Sequence, residues 1–300
     1  MNKTFKLLAP LLALALALSL AACGGDPAPA ETPSTEAPAE AAPSTEAAPS
    51  DETAKPAAEL TVLKVGASPA PHAEILEQVK PVLAEQGIDL QIVEFTDYVI
   101  PNKALDAGDI DANYFQHFPY LENFNAENGT DLVSAAAIHF EPLGVYPGKT
   151  ASLDALADGA TIAVPNDPTN EARALLLLQK LGYIKLTEGA GLEATPLDIT
   201  ENTKNLKFQE LEAAQLPNVL PDVDLAVING NYAVGAGIVD TVLTTEDKDS
   251  EAAQEFANIV AVRTGDESRD DIQKLVAALQ SDETAAFITE KYSGTVIPVF

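Results

Sequence analysis

Cysteine is nearly absent from this 300-residue chain: Cys23 is the only one, so no internal disulfide can form. Positive charge is scarce as well. Lysine and arginine total 17 against 46 aspartate and glutamate, giving a formal net charge of −29. Such a chain is repelled by nucleic acid and by anionic lipid, so neither is expected as a partner. Histidine occurs only as His72, His117 and His139, with no paired spacing. A metal site needs several histidine and carboxylate ligands converging, so no metal and no cofactor are expected. No Gly-x-Ser-x-Gly turn, Walker loop or dinucleotide fingerprint is present, and no activated nucleophile accompanies His117. The chain does not read as an enzyme.

The apolar run Leu7 to Ala22 follows Lys3 and Lys6 and is too short for a comfortable membrane span. It has the layout of a secretory signal over 1–22. It ends Leu20-Ala21-Ala22-Cys23-Gly24, which resembles the lipobox of bacterial lipoproteins and implies cleavage before Cys23 and acylation of that cysteine. Residues 24–59 are mostly Ala, Pro, Glu, Ser and Thr, and the pentad Pro-Ser-Thr-Glu-Ala appears at Pro33–Ala37 and Pro43–Ala47. With no aromatic or branched aliphatic residue to offset ordering entropy, 23–59 reads as a lipidated cysteine and a disordered acidic tether. Its reach lies between roughly 30 Å as a coil and roughly 110 Å as polyproline.

From Leu60 onward, short β-branched runs alternate with helical periodicity, which predicts α/β architecture with mainly parallel sheets. Strands are expected near 62–66, 89–95, 109–117 and 131–138, then 161–164, 206–211 and 224–228. Pro81 should kink the helix that carries Ile75, Leu76, Val79, Val82 and Leu83. Two prolines and a glycine in the apolar segment 138–147 argue for an extended crossing between lobes. The chain is expected to cross back near 259–263. Two crossings make a hinge, with one lobe over 60–146 plus 256–300 and the other over 147–255.

Three segments carry the chemistry. Asp109–Tyr120 concentrates Tyr114, Phe115 and Tyr120 with Asn113, Gln116 and His117, a mixture suited to one wall of a small-molecule pocket. Val164–Arg173 ends a strand and starts a helix, with Asp167 as cap and Pro168 in the first helical position. Asn170 and Arg173 then share a helix face near free N–H groups, where a carboxylate would be favoured. An alternative partner for Arg173 is Glu171 or a surface acid. The strand Asp224–Ile228 delivers Asn229 to its carboxyl end, where ligands of open α/β sheets bind.

These segments, with the His139–Tyr146 crossing and Glu210–Pro217, resemble the methionine-binding lipoprotein family (NlpA-type), over about residues 60–300. The resemblance implies a two-lobed type II periplasmic-binding-protein fold that holds free methionine in the cleft between lobes and hands it to an ABC permease and ATPase complex. It implies Arg173 at the α-carboxylate, supported by Asn170, and Asn229 at the amino group. Tyr98, Tyr114, Phe115, His117 and His139 would surround the thioether, with Asn205 on the far wall. It places the protein at the outer face of the bacterial cytoplasmic membrane, or on a periplasm-facing membrane, tethered through Cys23. Alternatives are a binder of another small amino acid or methionyl peptide, a metal-binding lipoprotein, and an adhesin.

Overall fold

The computed structural model describes residues 60–247 and 255–300. The expected signal, Cys23 and the tether lie outside the described residues. Among those described, no helix is long and apolar enough to cross a membrane.

The first lobe is built on strand β1, Thr61–Ala67, whose Leu63, Val65 and Ala67 are wholly buried. It pairs in parallel with β2, Ile88–Glu94, on one side and with β3, Ala112–His117, on the other. Helix α1, Glu74–Glu85, buries Ile75, Leu76, Val79 and Leu83 at helical spacing. It runs unbroken through Pro81, which lies on its solvent side. Helix α2, Ile100–Ala107, stops at Gly108, which takes the left-handed conformation (φ 80°) that ends helices. Helix α3, Phe118–Asn128, follows β3 directly, and strand β4, Leu132–Phe140, completes the outward run.

The chain changes sheet within Glu141–Leu143. Strand β5, Gly144–Pro147, pairs antiparallel with β10, Leu225–Ile228, in the second lobe. The expected lobe boundary after Tyr146 therefore falls inside a strand of the second sheet. The second lobe also holds β6, Thr161–Pro165, helix α4, Pro168–Lys180, and β9, Lys207–Leu211. A hairpin of β7, Ile184–Leu186, and β8, Ile199–Asn202, stands apart from the main sheet. Helix α5, Gly230–Gly235, follows β10, and the short β11, Thr244–Thr245, closes the sheet in the order β11-β5-β10-β6-β9.

The mainly parallel expectation needs correcting. Strand β12, Ala257–Arg263, is inserted between β3 and β4 and runs antiparallel to both, and β13, Ile297–Pro298, is antiparallel to β4. The residues 259–263, read as a crossing, lie in a central strand. A continuous apolar run such as Ile259–Val262 marks a strand buried on both faces. Helices α6, Asp270–Leu279, and α7, Asp282–Tyr292, then cover the first lobe. Each lobe has its own core: Leu63, Val65, Ile75, Leu76 and Val260 belong to the first, and Ile162, Val164, Leu175, Leu178 and Val227 to the second.

Candidate functional site

Asp167 accepts from the Asn170 N–H at 3.0 Å and so caps α4, while Pro168 needs no N–H partner in the first turn. This local chemistry aims Asn170 and Arg173 into the space between the lobes. Arg173 is 4% exposed. Burying a guanidinium requires a counter-charge, and Glu246 supplies it: Nε donates to Oε1 at 2.8 Å and Nη2 to Oε2. Nη2 also donates to the Glu141 carbonyl at 2.8 Å, and the guanidinium carbon lies 4.4 Å from the Phe256 ring centroid. Glu246 Oε2 accepts in addition from the Leu143 N–H at 2.9 Å. Arg173 thus ties the outward crossing to the segment that leaves β11. Its Nη1 has no hydrogen-bond partner among the described residues.

Three amide and imidazole groups form a chain across the cleft. Asn170 Nδ2 donates to Asp167 at 2.9 Å, which fixes its Oδ1 as the acceptor facing His117 and Asn229. His117 Nδ1 accepts from the Tyr120 N–H at 3.2 Å, so Nε2 carries the proton and donates to Asn170 Oδ1 at 3.1 Å. Burial, and then the Arg173 charge, push the His117 pKa down to about 3, so the ring is neutral. Asn229 Nδ2 donates to the same Oδ1 at 2.7 Å. Its own Oδ1 is buried and has no partner among the described residues. A buried acceptor left unpaired costs roughly 1–3 kcal/mol, so it marks a place where a donor belongs.

Opposite stands a wall of rings. Tyr98 lies 5.8 Å from Phe115 and 5.7 Å from Tyr120, centroid to centroid. The Tyr98 hydroxyl donates to Asn231 Oδ1 at 2.6 Å, a bond from the first lobe to the second. With Arg173, Asn170 and Asn229, this wall encloses about 330 Å³, including the part open at the mouth.

A β-bulge explains which residues of β3 reach this space. In the pairing with β12, Gln116 opposes Ile259 and Tyr114 opposes Val260, leaving Phe115 as an extra residue. The extra residue breaks strict alternation, and Phe115, Gln116 and His117 all line the cleft. Tyr114, before the bulge, points the other way. It is wholly buried and hydrogen-bonded to His139 Nδ1, and neither residue lines the cleft. The expectation that both touch a ligand is corrected to a place behind the wall. Asn205 is also corrected. It is exposed in a left-handed turn (φ 51°), bonded to Asp158 at 2.9 Å, and outside the cleft.

Glu141, Gly230, Asn231 and Asn258 are not among the expected site residues, and Tyr120 is expected only as part of the aromatic stretch and not as a ligand contact, although all five line the cleft. Glu141 is the most informative of these. An acid between Phe140 and Pro142 in an apolar run was a signal of a buried charge. His139 Nε2 lies 2.7 Å from its Oε1 and His72 Nε2 lies 3.5 Å from it. His72, His139 and Glu141 are close enough together to hold a metal ion. Every ring nitrogen of the two histidines is, however, already bonded, to Ser68, Asn258, Tyr114 and Glu141. The cluster is a closed hydrogen-bond network.

One acid beside the site makes stability depend on pH. Glu171 is 5% exposed, and burial, then the neighbouring Glu210, raise its pKa from 4.5 to about 8. The folded chain therefore keeps a proton that the unfolded chain releases above about pH 4.5, and stability falls as pH rises toward 8. Glu171→Gln should raise the melting temperature at pH 8.5 by a few degrees and change it little at pH 4.5. Equal effects at both pH values would contradict this.

The NlpA lipoprotein family model matches residues 63–300, which spans both lobes and every residue of the cleft. The chain belongs to the NlpA lipoprotein family. Among relatives of this NlpA-family chain is the D-methionine-binding lipoprotein MetQ of Salmonella typhimurium, 44% identical over 240 residues, covering 78% of this chain and 87% of the relative. A nutrient-binding protein from Burkholderia cenocepacia, solved bound to methionine, superposes with a TM-score of 0.75 at 47% identity, covering 79% of this chain and all of that one. Lipoprotein Tp32 from Treponema pallidum superposes with a TM-score of 0.75 at 41% identity, covering 80% and 99% respectively. The two-lobed architecture is that of these substrate-binding proteins.

Proposed function

We propose that this chain is the substrate-binding component of a bacterial methionine ABC importer. It binds free methionine between its lobes and passes it to the permease and ATPase complex. The carrying observation is the pairing of free valences in one enclosed cleft: a guanidinium N–H on Arg173 and an unpaired acceptor on Asn229. A carboxylate and an ammonium on one small ligand satisfy both. In this reading Arg173 holds the α-carboxylate, Asn229 the amino group, and Asn170 orients Asn229. Tyr98, Phe115 and His117 receive the thioether, since sulfur against a ring edge contributes about 0.3–1.5 kcal/mol. The methionine named for the Salmonella and Burkholderia proteins supports the choice of side chain. The acylated Cys23 and the tether hold the domain at the outer face of the cytoplasmic membrane. The lobes divide at 141–143 on the outward path.

Mass spectrometry of ligand released on denaturing freshly purified protein tests this, followed by calorimetry on the refolded chain. Methionine should be recovered and should rebind with one site per chain. Failure of both methionine enantiomers to bind would overturn the proposal.

A further inference from the structure

We propose that Glu141 sets the ligand specificity of the cleft: its carboxylate is the counter-charge for the ligand's α-ammonium group, held in position by His139, which Tyr114 orients. This rests on the function proposed above and adds a residue to it.

The charges of the cleft leave one anion over. Arg173 is already paired with Glu246 through both oxygens and keeps only Nη1 for the ligand carboxylate. Glu141 is 5% exposed and lines the cleft, yet among the described residues no lysine or arginine pairs with its carboxylate. Arg173 reaches only its backbone carbonyl. The groups next to the carboxylate are the two histidines and the Asn231 N–H, and the Arg173 charge acts on it from beyond hydrogen-bonding distance.

The hydrogen bonds make both histidines neutral donors. His72 Nδ1 is 2.8 Å from the Ser68 hydroxyl and its Nε2 is 3.0 Å from Asn258 Oδ1, so the Nε2 proton points to the amide oxygen. His139 Nδ1 accepts from the Tyr114 hydroxyl, which leaves its Nε2 proton for Glu141. Burial agrees with this, lowering His72 to about 4 and His139 to about 3. The carboxylate is therefore positioned by neutral hydrogen bonds, and among the described residues no cation is bonded to it. Removing an ionised carboxylate from water without a counter-charge is unfavourable, and burial does raise the Glu141 pKa.

Its location says which cation completes it. Gly230 follows Asn229 directly, and a Cβ there would lie 2.8 Å from Glu141 Oε2. The carboxylate thus lies against the backbone next to Asn229, whose Oδ1 is the unpaired acceptor. An ammonium carries three N–H donors and one positive charge. It can satisfy both oxygens, whereas an N-acylated or des-amino ligand leaves Glu141 uncompensated.

Glu141→Gln tests this, because glutamine keeps the shape and the acceptor toward His139 while removing the charge. Methionine affinity by calorimetry should fall roughly 10- to 100-fold, the range for a hydrogen bond to a charged group. The melting temperature of the ligand-free variant should be unchanged or higher, since an uncompensated buried charge has been removed. Affinity within about threefold of the parent would overturn the inference. So would a fall in affinity accompanied by a lower ligand-free melting temperature, which indicates a structural role. If the parent itself binds no methionine, it is the proposed function that fails.

Discussion

Arg173→Ala is expected to abolish measurable methionine binding. Truncating one partner of a buried, hydrogen-bonded charge pair typically costs about 2–5 kcal/mol, or roughly 30-fold to several thousand-fold in affinity. Here the loss has two sources. The ligand carboxylate loses its cation, and Glu246, only 12% exposed, is left without its partner. The second effect also unpins the outward crossing from the segment that leaves β11, because the same guanidinium bonds the Glu141 carbonyl. The ligand-free melting temperature should therefore drop as well, with circular dichroism still reporting the α/β fold. Arg173→Lys restores the charge but not the fork, and one ammonium cannot serve Glu246, Glu141 and a ligand together. Its affinity should fall between parent and alanine variant. Undiminished affinity in Arg173→Ala would remove the carboxylate assignment.

Gly230→Ala is expected to be nearly as damaging, for a steric reason. The added Cβ would lie 2.7 Å from Glu141 Cβ and 2.8 Å from Oε2. Cβ is fixed by the backbone of the crossing, and Oε1 is held by His139 at 2.7 Å, so the side chain has little freedom to yield. Either the start of α5 or the crossing must shift, and Asn229 shifts with it. Overpacking of this kind costs about 1–3 kcal/mol, and affinity should fall at least roughly tenfold. Gly235→Ala is the control. It lies at the exposed end of α5, and a Cβ there meets nothing within 4 Å. It should be neutral or slightly stabilising, as alanine favours helix. Equal behaviour of the two variants in calorimetry and thermal unfolding would contradict the close packing of Glu141 on Gly230.

What was legible in the sequence was what local chemistry determines. Asp167, Pro168 and the following apolar spacing announce α4, and with it the direction of Asn170 and Arg173. The aromatic wall was visible as composition, but its sidedness was not. A bulge at Phe115 arises from pairing with β12, nearly 150 residues later in the chain, and so Tyr114 could not be told from Phe115 by local pattern. The partner of Arg173 was hidden for the same reason, since Glu246 is 73 residues away. Glu141 needed both His72 and the backbone at Gly230 to become intelligible. Asn205 was read as a ligand donor, but asparagine also tolerates left-handed turns, and that is its role here.

The most direct test of the central claim is a crystal structure of the chain grown with methionine. A ligand carboxylate oxygen should lie within hydrogen-bonding distance of Arg173 Nη1. The ammonium should lie between Asn229 Oδ1 and the Glu141 carboxylate, with the sulfur against Tyr98 and Phe115. Methionine bound outside this cleft, or with its carboxylate turned toward Glu141, would contradict it.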